Sequence, residues 1–257
     1  MTDAALGGVL VTRPQSQSAE LAAAVEAAGG EAVLFPAIDI IGRETTEIEA
    51  ELRQLPPVDI AVFVSRNAVA NGFPALRDSN ARIAAVGPAT RNAIEALGGS
   101  VHIVPEHGFD SEHLLRHAAL KNVRNLHVLI VRGQSGRELL ADTLRERGAT
   151  VNYLCVYERR RHQPSLEEGE LLVERLQAGK IRFVVVMSVD SLKCLLESVP
   201  PECLDALRQV TLVAPGARVL QTACELIPGI QTELAGGPQA QDIVATLVSL
   251  AQSDMVS

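Results

Sequence analysis

VLVTRPQSQSAELAAAVEAAGGEAVLFPAID (residues 9–39) and VLIVRGQSGRELLADTLRERGATVNYLCVYE (residues 128–158) decide the fold, because they align without a gap at a constant offset of 119. In each, an apolar run ends in Arg, then Pro or Gly, then Gln-Ser. An amphipathic stretch follows and stops at Gly29 or Gly148, where a helix C-cap glycine belongs. A second extended run comes next. The chain has duplicated a strand–helix–strand unit.

Weaker echoes carry the pattern outward. DIAVFVSRNAVANGF (59–73) resembles RFVVVMSVDSLKCLL (182–196), with Ser65 over Ser188. RIAAVGPATRNAIEALG (82–98) matches VTLVAPGARVLQTACELI (210–227), and SVHIVPEHGFDSEHLLRHA (100–118) matches IQTELAGGPQAQDIVATLV (230–248). Each reads as strand, turn and helix, giving eight units, four per half. Runs such as IAVFV and FVVVM lack polar alternation, as strands buried on both faces do. Strand–helix alternation then specifies an α/β protein with parallel sheets and right-handed crossovers. Two chain orders satisfy it. Either each half forms its own domain, or the chain crosses over after its first unit and returns after the duplicate. The crossing segments would be 33–42 and 151–161, which hold Phe35, Tyr153 and Tyr157 and could pair as an antiparallel ribbon.

Bulk properties exclude several function classes. The 257 residues, 47% apolar and 21% charged, suffice for a buried core. A net charge of -8 speaks against a general nucleic-acid binder. With 3% aromatics and no Trp, base-stacking platforms and aromatic cages are excluded too. No apolar run approaches the roughly 18 residues of a membrane span. The start MTDAALGGVLVTRP is interrupted too early by Arg13-Pro14 to read as a signal peptide. Cys155, Cys194, Cys203 and Cys224 lack CxxC spacing, which argues against zinc sites and disulfides and for a reducing cytoplasm.

Familiar catalytic signatures are missing. No GxGxxG follows a strand, and Gly179-Lys180 is followed by Ile, so dinucleotide and P-loop readings fail. Gly133-Gln134-Ser135-Gly136 lacks the second spacing glycine of a nucleophile elbow, and its twin carries Ser16, so Ser135 reads as a helix-start serine. His113 and His117 stand i, i+4 on an expected helix without a third ligand, and read as a solvated face. Arg159-Arg160-Arg161 is either a solvated linker run or an anion grip. One kind of site remains. In open parallel sheets ligands bind beyond the carboxyl ends of the strands, where helix N-termini offer free N–H groups to anions. The turns there present Arg13, Ser65, Asn67, Gly87, Thr90, Arg132, Gly133, Ser188, Gly216 and Arg218. Matched sets of this kind suit a long ligand bearing several carboxylates or phosphates. Residues 41–150 hold 13 basic and 13 acidic side chains, so the whole acidic excess lies outside that segment.

At these turns the chain resembles the uroporphyrinogen-III synthases. VLVTRP, VFVSRNAV, AVGPAT, VLIVRG and VYERR are similar to that family's segments in the same order, over almost the whole chain. The resemblance implies two flavodoxin-like parallel-sheet lobes joined by a two-stranded antiparallel linker. The lobes would be 1–35 plus 162–257, discontinuous, and 41–150, with 33–42 and 151–161 crossing between them. It implies closure of linear hydroxymethylbilane into uroporphyrinogen III, with inversion of the last pyrrole ring and loss of water, by a cytoplasmic monomer. No cofactor or metal is implied, and no nucleic-acid or membrane partner. Hydroxymethylbilane synthase is the expected transient partner. Tyr157 matches the tyrosine of the family's crossing strand, the expected hydrogen-bond donor to the leaving hydroxyl. Thr90 matches a threonine of the GPAT turn. Ala214-Pro215-Gly216-Ala217 departs from the family, where a hydroxyl residue follows Gly-Pro. A non-catalytic two-lobe binder of a polyanion and a tetrapyrrole methyltransferase remain alternatives; the absence of a signal peptide and of a glycine-rich adenosine loop weighs against them.

Overall fold

The computed structural model describes residues 6–253; residues 1–5 and 254–257 of the expected discontinuous lobe lie outside the described residues. The chain begins with β1 (Gly7–Val11), α1 (Ala19–Ala27), β2 (Gly30–Leu34) and β3 (Ile38–Gly42). Next come α2 (Thr45–Leu52), β4 (Ile60–Phe63), α3 (Arg66–Leu76), β5 (Arg82–Ala85) and α4 (Pro88–Ala96). Two short helices, α5 (Ser111–Leu114) and α6 (Ala118–Lys121), lead into β6 (His127–Gly133), α7 (Leu139–Glu146) and the long β7 (Thr150–Arg161). After these stand α8 (Leu166–Gln177), β8 (Ile181–Val185), α9 (Val189–Ser198) and α10 (Leu204–Leu207). β9 (Thr211–Ala214), α11 (Ala217–Leu226), β10 (Gln231–Leu234) and α12 (Ala240–Ser253) complete the described chain.

Two compact units result, one running to Asp39 and resuming at Arg160, the other spanning Ile40–Arg159. In the first, the sheet order is β10-β9-β8-β1-β2, parallel at every pairing. In the second it is β3-β7-β6-β4-β5, with β7, β6, β4 and β5 parallel. Ile103 bridges Ala84 in the parallel sense and occupies the place that β10 holds in the other sheet. β3 runs the other way. Arg43 N donates to Val156 O and His162 N to Ala37 O, so residue numbers rise on one strand as they fall on the other.

Local chemistry explains these elements. Gly29 (φ +80°) and Gly148 (φ +87°) occupy the left-handed region at matched positions and end α1 and α7 as glycine C-caps do. β4 is buried along its whole length. Ile60 and Val62 pack with Val128, Ile130, Leu140 and Leu144 on one face, while Ala61 and Phe63 pack with Val69, Phe73, Leu129 and Val131 on the other. Each such large side chain contributes about 1.5–3 kcal/mol of burial. α3 lies close on the second face, because a Cβ at Gly72 would stand 2.7 Å from Val131 Cγ1.

Three elements differ from the sequence reading. Residues 33–42 are not one crossing strand: β2 ends at Leu34 in the first sheet and β3 starts at Ile38. Pro36 lies between them and has no N–H for a ladder. Residues 151–161 are not only a crossing segment, since Thr150–Tyr157 pair parallel with β6, and the second unit accordingly runs past 150 to Arg159. The expected strand and closing helix of 100–118 reduce to the bridge at Ile103 and two four-residue helices. His117, with ψ 136°, breaks the helical path there, and its Nδ1 instead accepts from Ala119 N.

Candidate functional site

Both sheets bring the expected residues to the carboxyl ends of parallel strands, the edge where doubly wound sheets bind ligands. Strand order reverses between β1 and β8 in the first unit and between β6 and β4 in the second, so those gaps are the topological switch points.

In the second unit the switch point gathers Ser65, Arg132, Gly133 and Tyr157. Ser65 caps α3, its Oγ accepting from Ala68 N at 3.1 Å. Tyr157 is 5% exposed, and its hydroxyl lies 3.3 Å from Ser65 Oγ. A bulge puts it there. Arg132 pairs with Cys155 but Gly133 pairs with Tyr157, so Val156 is an extra residue on β7. Strict alternation would send Tyr157 to the Tyr153 face; the bulge turns it onto the Phe63–Phe73 face, beside α3. Val156 O faces the other edge of β7 and accepts from Arg43 N just after β3. Gly133 makes room for the ring, since a Cβ there would stand 2.8 Å from Tyr157 Cζ. The glycine thus has a steric role in seating the tyrosine ring.

The neighbouring positions follow from the helix starts. Gly87 precedes Pro88 at the N-terminus of α4, and Thr90, buried, donates its backbone N–H to Gly87 O. Asn67 is half-buried in the first turn of α3, and its carbonyl accepts from Asn71 Nδ2. Arg132 is buried; its Nη1 lies 3.0 Å from Glu138 Oε1 and its guanidinium 4.7 Å from the centre of the Tyr153 ring. Tyr153 O–H donates to Glu138 Oε2. That donated bond, with Arg132 beside it, holds the Glu138 carboxyl below the usual carboxylate range. Burial, then the Glu138 acceptor, pushes the Tyr153 phenol up. Nothing in the repeat pointed to Glu138 or Tyr153 as partners of Arg132; the only trace was a tyrosine four residues before Tyr157.

In the first unit, Thr12 Oγ1 donates to Val185 O at 2.7 Å and ties the ends of β1 and β8 together. Arg13 is buried, with Nη2 donating to Pro238 O at 2.7 Å, so it braces the loop after β10. Ser188 caps α9 through Ser191 N, as Ser65 caps α3. Gly216 precedes α11 without a side-chain cap, and Arg218 is exposed in its first turn. The structure thus sorts the candidates into two groups, one per unit. Among the described residues no cluster of His, Cys, Asp or Glu could hold a metal ion, no helix is long and apolar enough to cross a membrane, and no disulfide joins the cysteines.

The model of the family described as "Uroporphyrinogen-III synthase HemD" matches residues 19–228. This chain belongs to the uroporphyrinogen-III synthase family. The uroporphyrinogen-III synthase of Escherichia coli K12 is 32% identical over 200 residues, covering 75% of this chain and 80% of that protein. That of Proteus mirabilis is 34% identical over 158 residues, 59% of this chain and 79% of the relative. Among solved structures, uroporphyrinogen-III synthetase of Helicobacter pylori has a TM-score of 0.63 at 16% identity, covering 95% of this chain and 99% of that one. A mutant Thermus thermophilus uroporphyrinogen III synthase has a TM-score of 0.57 at 20% identity, covering 96% and 99%. At such identities the two structures speak for the shared α/β fold with parallel sheets.

Proposed function

We propose that this chain is a uroporphyrinogen-III synthase, closing hydroxymethylbilane with inversion of the last ring and loss of water. Membership of the family across residues 19–228 carries the reading. In its finer form, two flavodoxin-like lobes are joined by the β3/β7 ribbon, and each lobe offers its carboxyl edge to the substrate's eight carboxylates. Free N–H groups at the starts of α3, α4, α9 and α11 suit carboxylates better than a basic patch would.

The chemistry asks little of side chains. Departure of the hydroxyl leaves a resonance-stabilised cation, and the chain then has to be held in the spiro-forming geometry. Tyr157 is the donor we assign to the departing oxygen. Ser65 Oγ accepts from Ala68 N and can donate its own proton to the phenol oxygen, which leaves the phenol O–H directed at the substrate. Buried and packed on Gly133, the ring keeps that direction when the substrate arrives. Incubation with freshly generated hydroxymethylbilane, followed by separation of the product isomers, tests the reading. Isomer III is expected in excess of spontaneous isomer I, and isomer I alone refutes it.

A further inference from the structure

A cavity of about 360 Å³ in the second unit has no part in the site described so far. Its lining includes His107, His113, Arg116, His117 and Lys121, against the one acid Glu106. Five cationic or imidazole side chains line one hollow, in a chain whose net charge is -8. Their protons are aimed by what the groups already bind. His117 Nδ1 accepts from Ala119 N, which leaves Nε2 as the protonated nitrogen. His113 Nδ1 lies 2.6 Å from Asp110 Oδ1, so Asp110 is engaged by His113 and by the backbone N–H it caps. Arg116 is close enough to Asp110 to help hold its carboxyl below the usual carboxylate range, after the His113 hydrogen bonds that dominate there. Three imidazoles are present, yet no group of ligands here could hold a metal. The hollow therefore suits an anion.

Its position ties it to the carboxyl edge. The chain leaves the sheet at Ile103, paired with Ala84, and Pro105, Glu106 and His107 follow at once. Two residues later Phe109 packs its Cβ against Gly87, 3.3 Å from where a Cβ would stand, while the residue as a whole is 73% exposed. Gly108 makes this path possible. Its φ is +74°, and a Cβ would collide with the His113 ring. The cavity sits at the low end of the roughly 300–1,000 Å³ range of small-molecule sites. It has room for one pyrrole ring with its acid side chains and not for a four-ring chain.

We propose that this cavity is a carboxylate subsite, in which Arg116, Lys121 and His117 hold the acid side chains of one pyrrole ring of the polyanionic substrate. The inference rests on the synthase reading. It adds an end-anchor on the segment that carries Phe109, whose Cβ stands against the α4 turn at Gly87. One ring fixed there by charge restricts how the rest of the bilane can be presented to Tyr157.

The probe is uroporphyrin III, a stable octacarboxylate, titrated against the full-length protein by fluorescence at two salt concentrations. Arg116→Gln and Lys121→Gln are expected each to raise its Kd about tenfold, the loss of one charge-assisted hydrogen bond. Higher salt should weaken wild-type binding and leave the double variant little changed. Thermal melting of the variants should stay close to wild type, since both side chains are exposed. Ring resonances of His107 and His117 should shift with uroporphyrin III and not with inorganic phosphate at the same concentration. A double variant binding uroporphyrin III as tightly as wild type overturns the subsite even where isomer III is formed. Equal shifts from phosphate overturn its carboxylate character. Failure of wild type to form isomer III overturns the synthase reading and is measured separately.

Discussion

Gly133→Ala is the most revealing single methyl that can be added to this protein. The new Cβ would stand 2.8 Å from Tyr157 Cζ, 2.9 Å from Cε2 and 3.2 Å from the phenol oxygen. Carbon atoms separate comfortably at about 3.5–4.0 Å, so the ring edge must retreat by roughly 0.7 Å or more. Tyr157 is 5% exposed, and retreat presses it into the Phe63–Phe73 cluster. Overpacking of this kind costs about 1–3 kcal/mol. Function should suffer more than stability. The Tyr157–Ser65 contact is already 3.3 Å, at the long end for two oxygens, so it has little tolerance for a displaced ring. Losing one aligned transition-state donor costs about 2–4 kcal/mol, or roughly 10²-fold in isomer III formation.

Tyr157→Phe should show the same activity loss with only about 0.5–1.5 kcal/mol of destabilisation, the net worth of one hydrogen bond. The double variant separates the two effects. Phenylalanine keeps Cζ, so the clash and its stability cost persist; the hydroxyl is gone, so no further activity can be lost. Isomer ratios and urea unfolding of wild type, both singles and the double form the complete cycle. Additive activity losses, or a folded Gly133→Ala variant with wild-type turnover, would refute the idea that this glycine exists to seat the tyrosine.

Ser65→Ala should cost about 1 kcal/mol through the lost α3 cap and also lower isomer III formation, whereas Ser188→Ala should show the cap loss without a Tyr157 effect; paired melting and isomer assays check both. Gly29→Ala should destabilise by about 1–2 kcal/mol, although nothing lies within 4 Å of the new Cβ, because its φ of +80° is left-handed; urea titration reads this, and a neutral result would contradict the C-cap role. Glu168, in the capping box with Ser165, is held below its ordinary 4.5 by the Ser165 backbone N–H. A depressed carboxyl contributes stability above the unfolded value and loses it as pH falls through the folded one. Glu168→Gln should therefore lower stability at pH 7, flatten its fall below about pH 4.5 and converge with wild type in acid, as pH-dependent melting would reveal.

How much of this was legible in sequence follows from which interactions are local. The duplicated unit could be read because a left-handed glycine and an Arg–turn–Gln–Ser run each impose their own backbone, at Gly29 and Gly148 alike. The helix starts at Ser65 and Ser188 were legible for the same reason, since a capping hydroxyl acts three residues away. What sequence hid were consequences of pairing between distant strands. The slip between Arg132 and Gly133 depends on how β7 lies against β6, and no pattern within 151–161 announces it. Yet that slip decides which face Tyr157 joins, and so whether it meets Ser65 at all. Arg132 was found by its place at the end of β6, but Glu138 and Tyr153, which hold it, are gathered from α7's approach and from β7. His107, Arg116 and Lys121 escaped because the helix expected through His113 and His117 breaks at His117. An unbroken helix would have carried these side chains past one another on one solvated face. The break folds them around a hollow, and a chemistry that was invisible as spacing becomes visible as a surface.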